Sequence, residues 1–366
     1  MALSIRFFEL KFESDDYRGF LTNWFSYLKN HGGIKALKNY PGDYNAPYVT
    51  ILALLSYIPI KDIYLIKGVS IISDFLLAIS SSCLVSYLVK ENKKEFCLLT
   101  YSVVLFLPSV IFNAGLWAQC DSIYASFVIL ALLALLKEKY LKSFILLGVS
   151  FSLKLQFIFV LPVFIVLYIS KNKYSILNFF IIPIVNFILC LPAIIMGNPI
   201  KKIILVYFNQ TKSWKEHLVM NYPNIYEILP GEVNIFSKIG ILFTIMLCAA
   251  MMAFVIFKKV KWNNEKILTL ALWFIVIVSY FLPRMHDRYM FVGEILAVLC
   301  YIVYKKNLHL VICTNIIAMI VYSRYLFGAN NFNYSMLSVI YLIVIIYFSR
   351  NVFILLSNNK MKKSDL

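Results

Sequence analysis

The sequence is short of charge, shorter still of acid, and has no cysteine, glycine or aspartate pattern of the kind that holds a metal or a nucleotide. Only 14% of its 366 residues are charged, and 18 Asp and Glu stand against 35 Lys and Arg, for a net charge of +17. The seven cysteines (Cys83, Cys97, Cys120, Cys190, Cys248, Cys300 and Cys313) fall singly in apolar runs or at their ends, with no CxxC spacing and no histidine cluster. Neither a disulfide framework nor a zinc site is therefore indicated. No DxD, EF-hand or Walker pattern occurs, so a divalent metal is not implied and use of a nucleotide sugar is not supported. There is no signal peptide with a cleavage site and no repeat of solenoid period, and residues 1–366 read as a single integral domain.

What is abundant is apolar sequence. Hydrophobic residues make up 61% of the chain, mean hydropathy is +0.79, and apolar runs recur from Ile63 to Leu356. An all-α, polytopic transmembrane protein is expected, because only helices satisfy their own backbone hydrogen bonds in a single segment crossing lipid. The positive charge does not form the stripe that marks a nucleic-acid surface. It forms clusters between apolar runs: Lys90 to Lys94, Lys137 to Lys139, Lys171 to Lys173, Lys258 to Lys261, Lys305-Lys306 and Lys360 to Lys363. These follow alternate crossings and, by the positive-inside rule, are cytoplasmic. The fit gives about eleven spans, at 62–89, 95–112, 120–136, 141–153, 156–170, 174–196, 236–258, 267–283, 289–304, 307–327 and 334–356, with a cytoplasmic tail over 357–366. The short pair 141–153 and 156–170 reads as a full span or as a broken pair meeting at the outer side.

The opposite face then collects six segments distant in sequence: residues 1–61, 113–121, 154–156, 198–233, 283–289 and 328–334. They carry Asp15, Asp16, Gln119, Asp121, Lys154, His217, Arg284, His286, Asp287 and Arg288. In the first of them, Ser14-Asp15-Asp16 resembles a helix start, followed by the apolar residues Phe20, Leu21, Trp24, Phe25, Tyr27 and Leu28 of an interfacial helix. The simplest role for the two aspartates is to cap it. A second interfacial helix is expected from Tyr44-Asn45-Ala46-Pro47-Tyr48 through Leu55.

Several short stretches occur in a telling order: Ser14-Asp15-Asp16-Tyr17, Tyr44-Asn45-Ala46-Pro47-Tyr48, Leu116-Trp117-Ala118-Gln119-Cys120-Asp121-Ser122, Lys154-Leu155-Gln156, Asn221-Tyr222-Pro223-Asn224-Ile225-Tyr226 and Met285-His286-Asp287-Arg288-Tyr289. Together, over residues 14 to about 295, they resemble the bacterial mannosyltransferase-like branch of the GT-C glycosyltransferases, related to the second mannosyltransferase of GPI-anchor assembly. The resemblance implies transfer of a sugar from a polyprenyl-phosphate donor to an acceptor outside the cytoplasm, with a first-loop carboxylate as general base. The family pattern of a small residue followed by Asp-Tyr points to Asp16 rather than Asp15. The chemistry is compatible, since a hydroxyl attacking an anomeric carbon must lose its proton while an oxocarbenium-like centre develops. A single displacement inverts the anomeric centre. Relatives carry a span ahead of this loop, whereas here only thirteen residues precede Ser14 and Arg6, Glu9, Lys11 and Glu13 interrupt them. Such a segment is too short and too charged to cross a ~30 Å core. Either the N-terminus lies outside or the chain starts at an internal methionine without its first span.

Around the base, Gln119 and Asp121 are candidates for hydrogen bonds to sugar hydroxyls and Trp117 for an apolar face against a pyranose, although an interfacial tryptophan and a capping aspartate explain the same residues. Lys154 lies in an otherwise apolar stretch and is either a snorkelling side chain or, with Gln156, a ligand of the donor phosphate. Arg284, His286 and Arg288 are further phosphate candidates, against an outer loop with an Asp–Arg pair. The loop from Asn198 to Val233 is rich in aromatics and amides, including Trp214, Asn221 and Asn224, of which the last two match the family pattern. The expected donor is a polyprenyl-phosphate sugar with no certain cofactor. The expected partners are a glycan or lipid-linked acceptor and the bacterial cell membrane, not nucleic acid. The alternative from another class is a polysaccharide or lipid flippase, which predicts functional charges on both sides and near the midplane. A scaffold without chemistry leaves Asp16, Lys154 and Arg288 unexplained.

Overall fold

The computed structural model describes residues 1–213 and 215–358; Trp214 and the Lys360 to Lys363 cluster lie outside the described residues. The chain is about 76% helical. In order, the α-helices are α1 Ala2–Glu9, α2 Thr22–Asn30, α3 Ala46–Leu55, α4 Asp62–Leu88, α5 Lys93–Phe106, α6 Pro108–Ile111, α7 Asp121–Leu136, α8 Tyr140–Leu153, α9 Leu161–Lys171 and α10 Asn178–Ile195. They continue as α11 Ile200–Ile204, α12 Val206–Ser213, α13 Val233–Phe257, α14 Asn264–Phe281, α15 Phe291–Tyr304, α16 Leu308–Phe327 and α17 Tyr334–Ser357. Strand structure among the described residues is one parallel pair, β1 Val219–Met220 and β2 Met285–His286, in the register Val219 to Met285 and Met220 to His286.

Six helices are long and apolar enough to cross a membrane: α4, α10, α13, α14, α16 and α17. A seventh span arises if α5 and the segment Pro108–Leu116, bent by 56° at the intervening break, count as one. These helices mark a membrane protein, but the count is smaller than the eleven spans expected. All eleven expected segments are helical, yet α7, α8 and α15 have 14 to 16 residues and α9 has 11. At 1.5 Å per residue, sixteen residues reach only about 24 Å, short of a ~30 Å hydrocarbon core. Short apolar helices buried among their neighbours carry the same hydropathy as a span, and α7 and α15 are buried over nearly their whole lengths.

Local chemistry sets the helix boundaries. Pro108 supplies no N–H for a continued helix, which breaks the run between α5 and α6. Asn45 caps α3 by accepting from the Ala46 amide at 2.9 Å, and the chain continues through Pro47 near its first turn. Ser70, Ser73 and Ser80 return their hydroxyls to carbonyls one turn back, which satisfies these three polar groups within α4. The helices pack antiparallel, and the lysine clusters gather at one end: Lys173 pairs with Glu138 at 3.5 Å, Lys306 pairs with Glu265, and Lys305 lies over the Phe96 ring. The conspicuous acids and bases of the candidate site fall at the other end.

The N-terminal charges have a different role from the one the sequence suggested. Arg6 is fully buried, donating to Asp74 Oδ2 at 2.7 Å and to the Leu105 carbonyl at 3.1 Å, beside the α5–α6 break. Ser122 donates to the other Asp74 oxygen at 2.6 Å. Lys67 donates to the Glu9 and Phe12 carbonyls at 2.8 and 2.6 Å. Arg6 and the carbonyls of Glu9 and Phe12 thus dock the segment against α4, by satisfying buried Asp74 and Lys67, which would otherwise be unpaired.

Candidate functional site

The site is assembled on the turn between α6 and α7. After Pro108–Ile111 the helix widens to π geometry over Phe112–Leu116, and Trp117 N–H bonds back to the Phe112 carbonyl at 2.8 Å. Ala118 takes a left-handed φ of 64°, a conformation costing a non-glycine residue about 1–3 kcal/mol and common at functional turns. Gln119 N–H then reaches the Asn113 carbonyl at 2.9 Å, and the Asn113 side chain brackets Asp121, donating to Oδ2 at 2.7 Å and accepting from its amide at 3.3 Å. This reversal brings Trp117, Gln119 and Asp121 to one place.

Asp16 meets them there. Ser14 starts its helix, its hydroxyl accepting from the Tyr17 amide at 3.2 Å while donating to the Trp117 carbonyl at 2.9 Å. Asp16 Oδ2 accepts from Trp117 Nε1 at 2.7 Å and Gln119 Nε2 at 2.9 Å, and Arg288 lies 3.4 Å away. Oδ1 accepts from the Tyr325 hydroxyl at 2.6 Å and keeps a further lone pair. Asp15, one residue earlier, is exposed. The structure therefore separates two aspartates that the sequence leaves adjacent.

Arg288 is delivered by the loop between α14 and α15, pinned by the β1–β2 pair. Its firm bond is to Gln119 Oε1 at 2.8 Å, while its ion pairs are long: 3.4 Å to Asp16, 3.7 Å to Asp287 and 3.8 Å to Asp121. Nε–H has no hydrogen-bond acceptor. Lys154 is the opposite case: it pairs tightly with Asp121 Oδ1. Lys154 and Arg288, more than a hundred residues apart, thus share one carboxylate, which Lys154 holds closely and Arg288 only at 3.8 Å.

Burial governs the protonation of this loop. It pushes Asp287 up to about 7 despite the opposing pull of Arg288 and an Asn221 bond of 3.3 Å. It pushes His286 down to about 3, with Arg288 adding to the effect, so the imidazole is neutral at ordinary pH. Asp43, at the rim and within electrostatic reach of Asp16 and Arg288, also lies above the usual carboxylate range because part of its hydration is lost.

Several expected substrate contacts have other work. Trp117 is 1% exposed, stacked on Tyr325 at 4.1 Å with the Arg288 guanidinium 4.9 Å from its ring centre, so no face is open to a pyranose. Gln119 accepts from Tyr44 (3.0 Å) and Arg288 and donates to Asp16, and both it and Asp121 are buried. Their polar atoms are engaged with the Asp16 carboxylate, the Arg288 guanidinium and Lys154. Arg284 turns away, towards the Lys215 carbonyl and the Ser237 hydroxyl at 3.3 and 3.2 Å. Asn224 is fully buried, its side chain accepting from the Tyr226 amide and its carbonyl accepting from Ser338. Gln156 lies beside Tyr289, Tyr124 and Phe157, with its Oε1 buried and without a hydrogen-bond partner. Tyr325, Tyr44 and Asp43 were not anticipated. Nothing local distinguishes Tyr325 from the other tyrosines of apolar helices, whereas Tyr44 opens, and Asp43 adjoins, a segment already singled out, though without a role at this site.

No protein-family model matches the chain, and no curated protein matches it.

Proposed function

We propose that the protein is a GT-C-type membrane glycosyltransferase that moves a hexosyl unit, mannose-like or other, from a polyprenyl-phosphate sugar to a glycan or lipid-linked acceptor on the extracytoplasmic face of a bacterial membrane. The observation that carries this reading is the convergence on Asp16 of Trp117, Gln119, Arg288 and Tyr325, from three separate parts of the chain. A carboxylate oriented by three neutral donors, with a lone pair free and a loosely held guanidinium beside it, suits transfer of a proton and departure of an anion at adjacent points.

In the reaction, the acceptor oxygen bonds to the anomeric carbon as the carbon–oxygen bond to the donor phosphate breaks. The hydroxyl proton passes to Asp16 Oδ1, and the bonding pair leaves with the phosphate, whose charge Arg288 offsets through its unpaired Nε–H. The displacement inverts the anomeric centre. Gln119, Trp117 and Tyr325 orient the base, and Lys154 neutralises Asp121, the carboxylate that steadies Arg288.

The test is incubation of the purified full chain with a panel of polyprenyl-phosphate sugars and extracted cell-surface glycolipids, read by mass spectrometry. A mass increment of one hexose, lost in Asp16→Asn, is expected. Movement of lipid-linked glycan across vesicles with no covalent product would establish the transporter instead.

A further inference from the structure

A second recess lies beside the catalytic carboxylate, between the stretch that leads into α3 and the segment joining α10 to α12. It is a small recess with about 30 Å³ of free space, open to the outside, and is lined by Tyr40, Gly42, Tyr44, Asn198, Lys202 and Val206 among others. Two of its polar atoms have no hydrogen-bond partner. The Tyr40 hydroxyl belongs to a side chain 4% exposed, and Asn198 Oδ1 to one 9% exposed. Leaving either unsatisfied costs about 1–3 kcal/mol, and here one is a donor and the other an acceptor. Gly42 closes over the hydroxyl so tightly that a Cβ would come within 2.3 Å of it.

The rim is basic. Lys202 reaches across to the Tyr40 carbonyl at 2.6 Å. The Lys38 stem crosses Gly197, whose φ of 93° holds the turn next to Asn198. Lys35 and Lys201 are exposed nearby in sequence, and none of the four makes a carboxylate ion pair among the described residues. The acid in the neighbourhood is Asp43, which acts electrostatically on Tyr40. Tyr44 forms the wall between the recess and the site, its hydroxyl bonding Gln119, which bonds Asp16.

Resting on the glycosyltransferase reading, we propose that this recess binds the phosphate or diphosphate of a lipid-linked acceptor, with Lys202, Lys38 and the Tyr40 hydroxyl on the anion and Asn198 Oδ1 taking a sugar hydroxyl. The donor phosphate is bonded to the reacting carbon and must lie by Arg288. An anion on the far side of Tyr44 is separated from Asp16 by the width of a side chain, which is where the anchor of a glycolipid falls when one of its sugar hydroxyls meets the base. The ligand replaces the Tyr40 carbonyl as the partner of Lys202.

The test measures binding rather than turnover. Full-length protein carrying Asp16→Asn is titrated with polyprenyl diphosphate, polyprenol and inorganic pyrophosphate, and retention is read by native mass spectrometry. The diphosphate lipid should bind at least about ten-fold more tightly than polyprenol, the loss of one or two charge-assisted hydrogen bonds being of that order. Lys38→Ala with Lys202→Ala should abolish the preference, Tyr40→Phe should weaken it, and Lys202→Arg should keep it. With Asp16 intact, the lysine pair should raise the acceptor KM more than the donor KM. Equal binding of polyprenol, an unchanged preference in the double variant, or full displacement by equimolar pyrophosphate would overturn the proposal. The binding comparison stands even if no donor yields transfer, so the two readings fail separately.

Discussion

The protein holds two clusters of buried charge, built to different tolerances. At Arg6 and Asp74 both side chains are inaccessible and 2.7 Å apart, and the remaining polar atoms go to Ser122 and two backbone carbonyls. At Asp16 and Arg288 the side chains keep 20% and 14% exposure, the ion pairs stretch to 3.4–3.8 Å, and Nε–H is free. The first pair presents no accessible polar atom to a ligand, and its geometry is that of a fastener. The second is held in place chiefly by neutral donors, so its charges are aligned without being used up. Charge in an apolar protein is therefore weak guidance to function until its remaining bonding capacity is known.

The sharpest way to break this contrast is Asp16→Asn. Transfer should fall by ~10²–10⁴, the scale of a lost general base, with thermal unfolding in detergent little changed, because the amide keeps the shape; Asp15→Asn should leave most activity. A large drop in stability without a specific loss of transfer would make Asp16 another fastener. Asp74→Ala should do the reverse. It strands Arg6 and should lower stability by about 3–5 kcal/mol, measured by denaturant or thermal unfolding, while any protein that stays folded retains its KM values.

Within the looser cluster, Arg288→Ala should weaken donor-lipid binding by roughly 1–3 kcal/mol. Lys154→Ala should act through its partner instead, lowering kcat and stability together as Asp121 loses its counter-ion. Identical effects on donor affinity, measured by titration without acceptor, would erase the distinction between them.

The smallest effect concerns pH. Burial raises Asp287 from 3.8 to about 7 in the folded protein, so its neutral form is favoured by folding. That contribution is complete below the unfolded value and is lost as pH rises towards 7. Asp287→Asn should therefore gain stability relative to the parent between pH 4 and 7 and hold a constant advantage above. The parent's donor KM should rise through pH 7 as the new carboxylate draws on Arg288, and in the variant that rise should be absent.

The sequence exposes the helices because an apolar run and a terminating lysine cluster are local facts. It also isolates the loops that meet at Asp16, since charge on the lysine-poor side of an apolar chain is conspicuous. It does not show which of those residues face a ligand. Arg284 and Arg288 differ by one turn of a loop, and only the β1–β2 register sends one to Ser237 and the other to Gln119. Trp117 is lost as a sugar platform because Tyr325, more than two hundred residues on, stacks on it. Asn224 matches a pattern but caps a 3₁₀ turn. Crossing number is hidden for a similar reason, since short helices walled by other helices have the same composition as helices walled by lipid.

The two-residue pairing of Val219–Met220 with Met285–His286 has a mechanical consequence. It ties the long external loop to the strand two residues ahead of Arg288, and the adjoining Arg284 amide adds a 2.7 Å bond to the Leu218 carbonyl. Any rearrangement of that loop pulls on the guanidinium through a short, stiff tether. If the proposed glycosyl transfer holds, occupancy at that loop is coupled to the alignment of Arg288, and cleavage of a lipid donor would wait until something is present to receive the sugar.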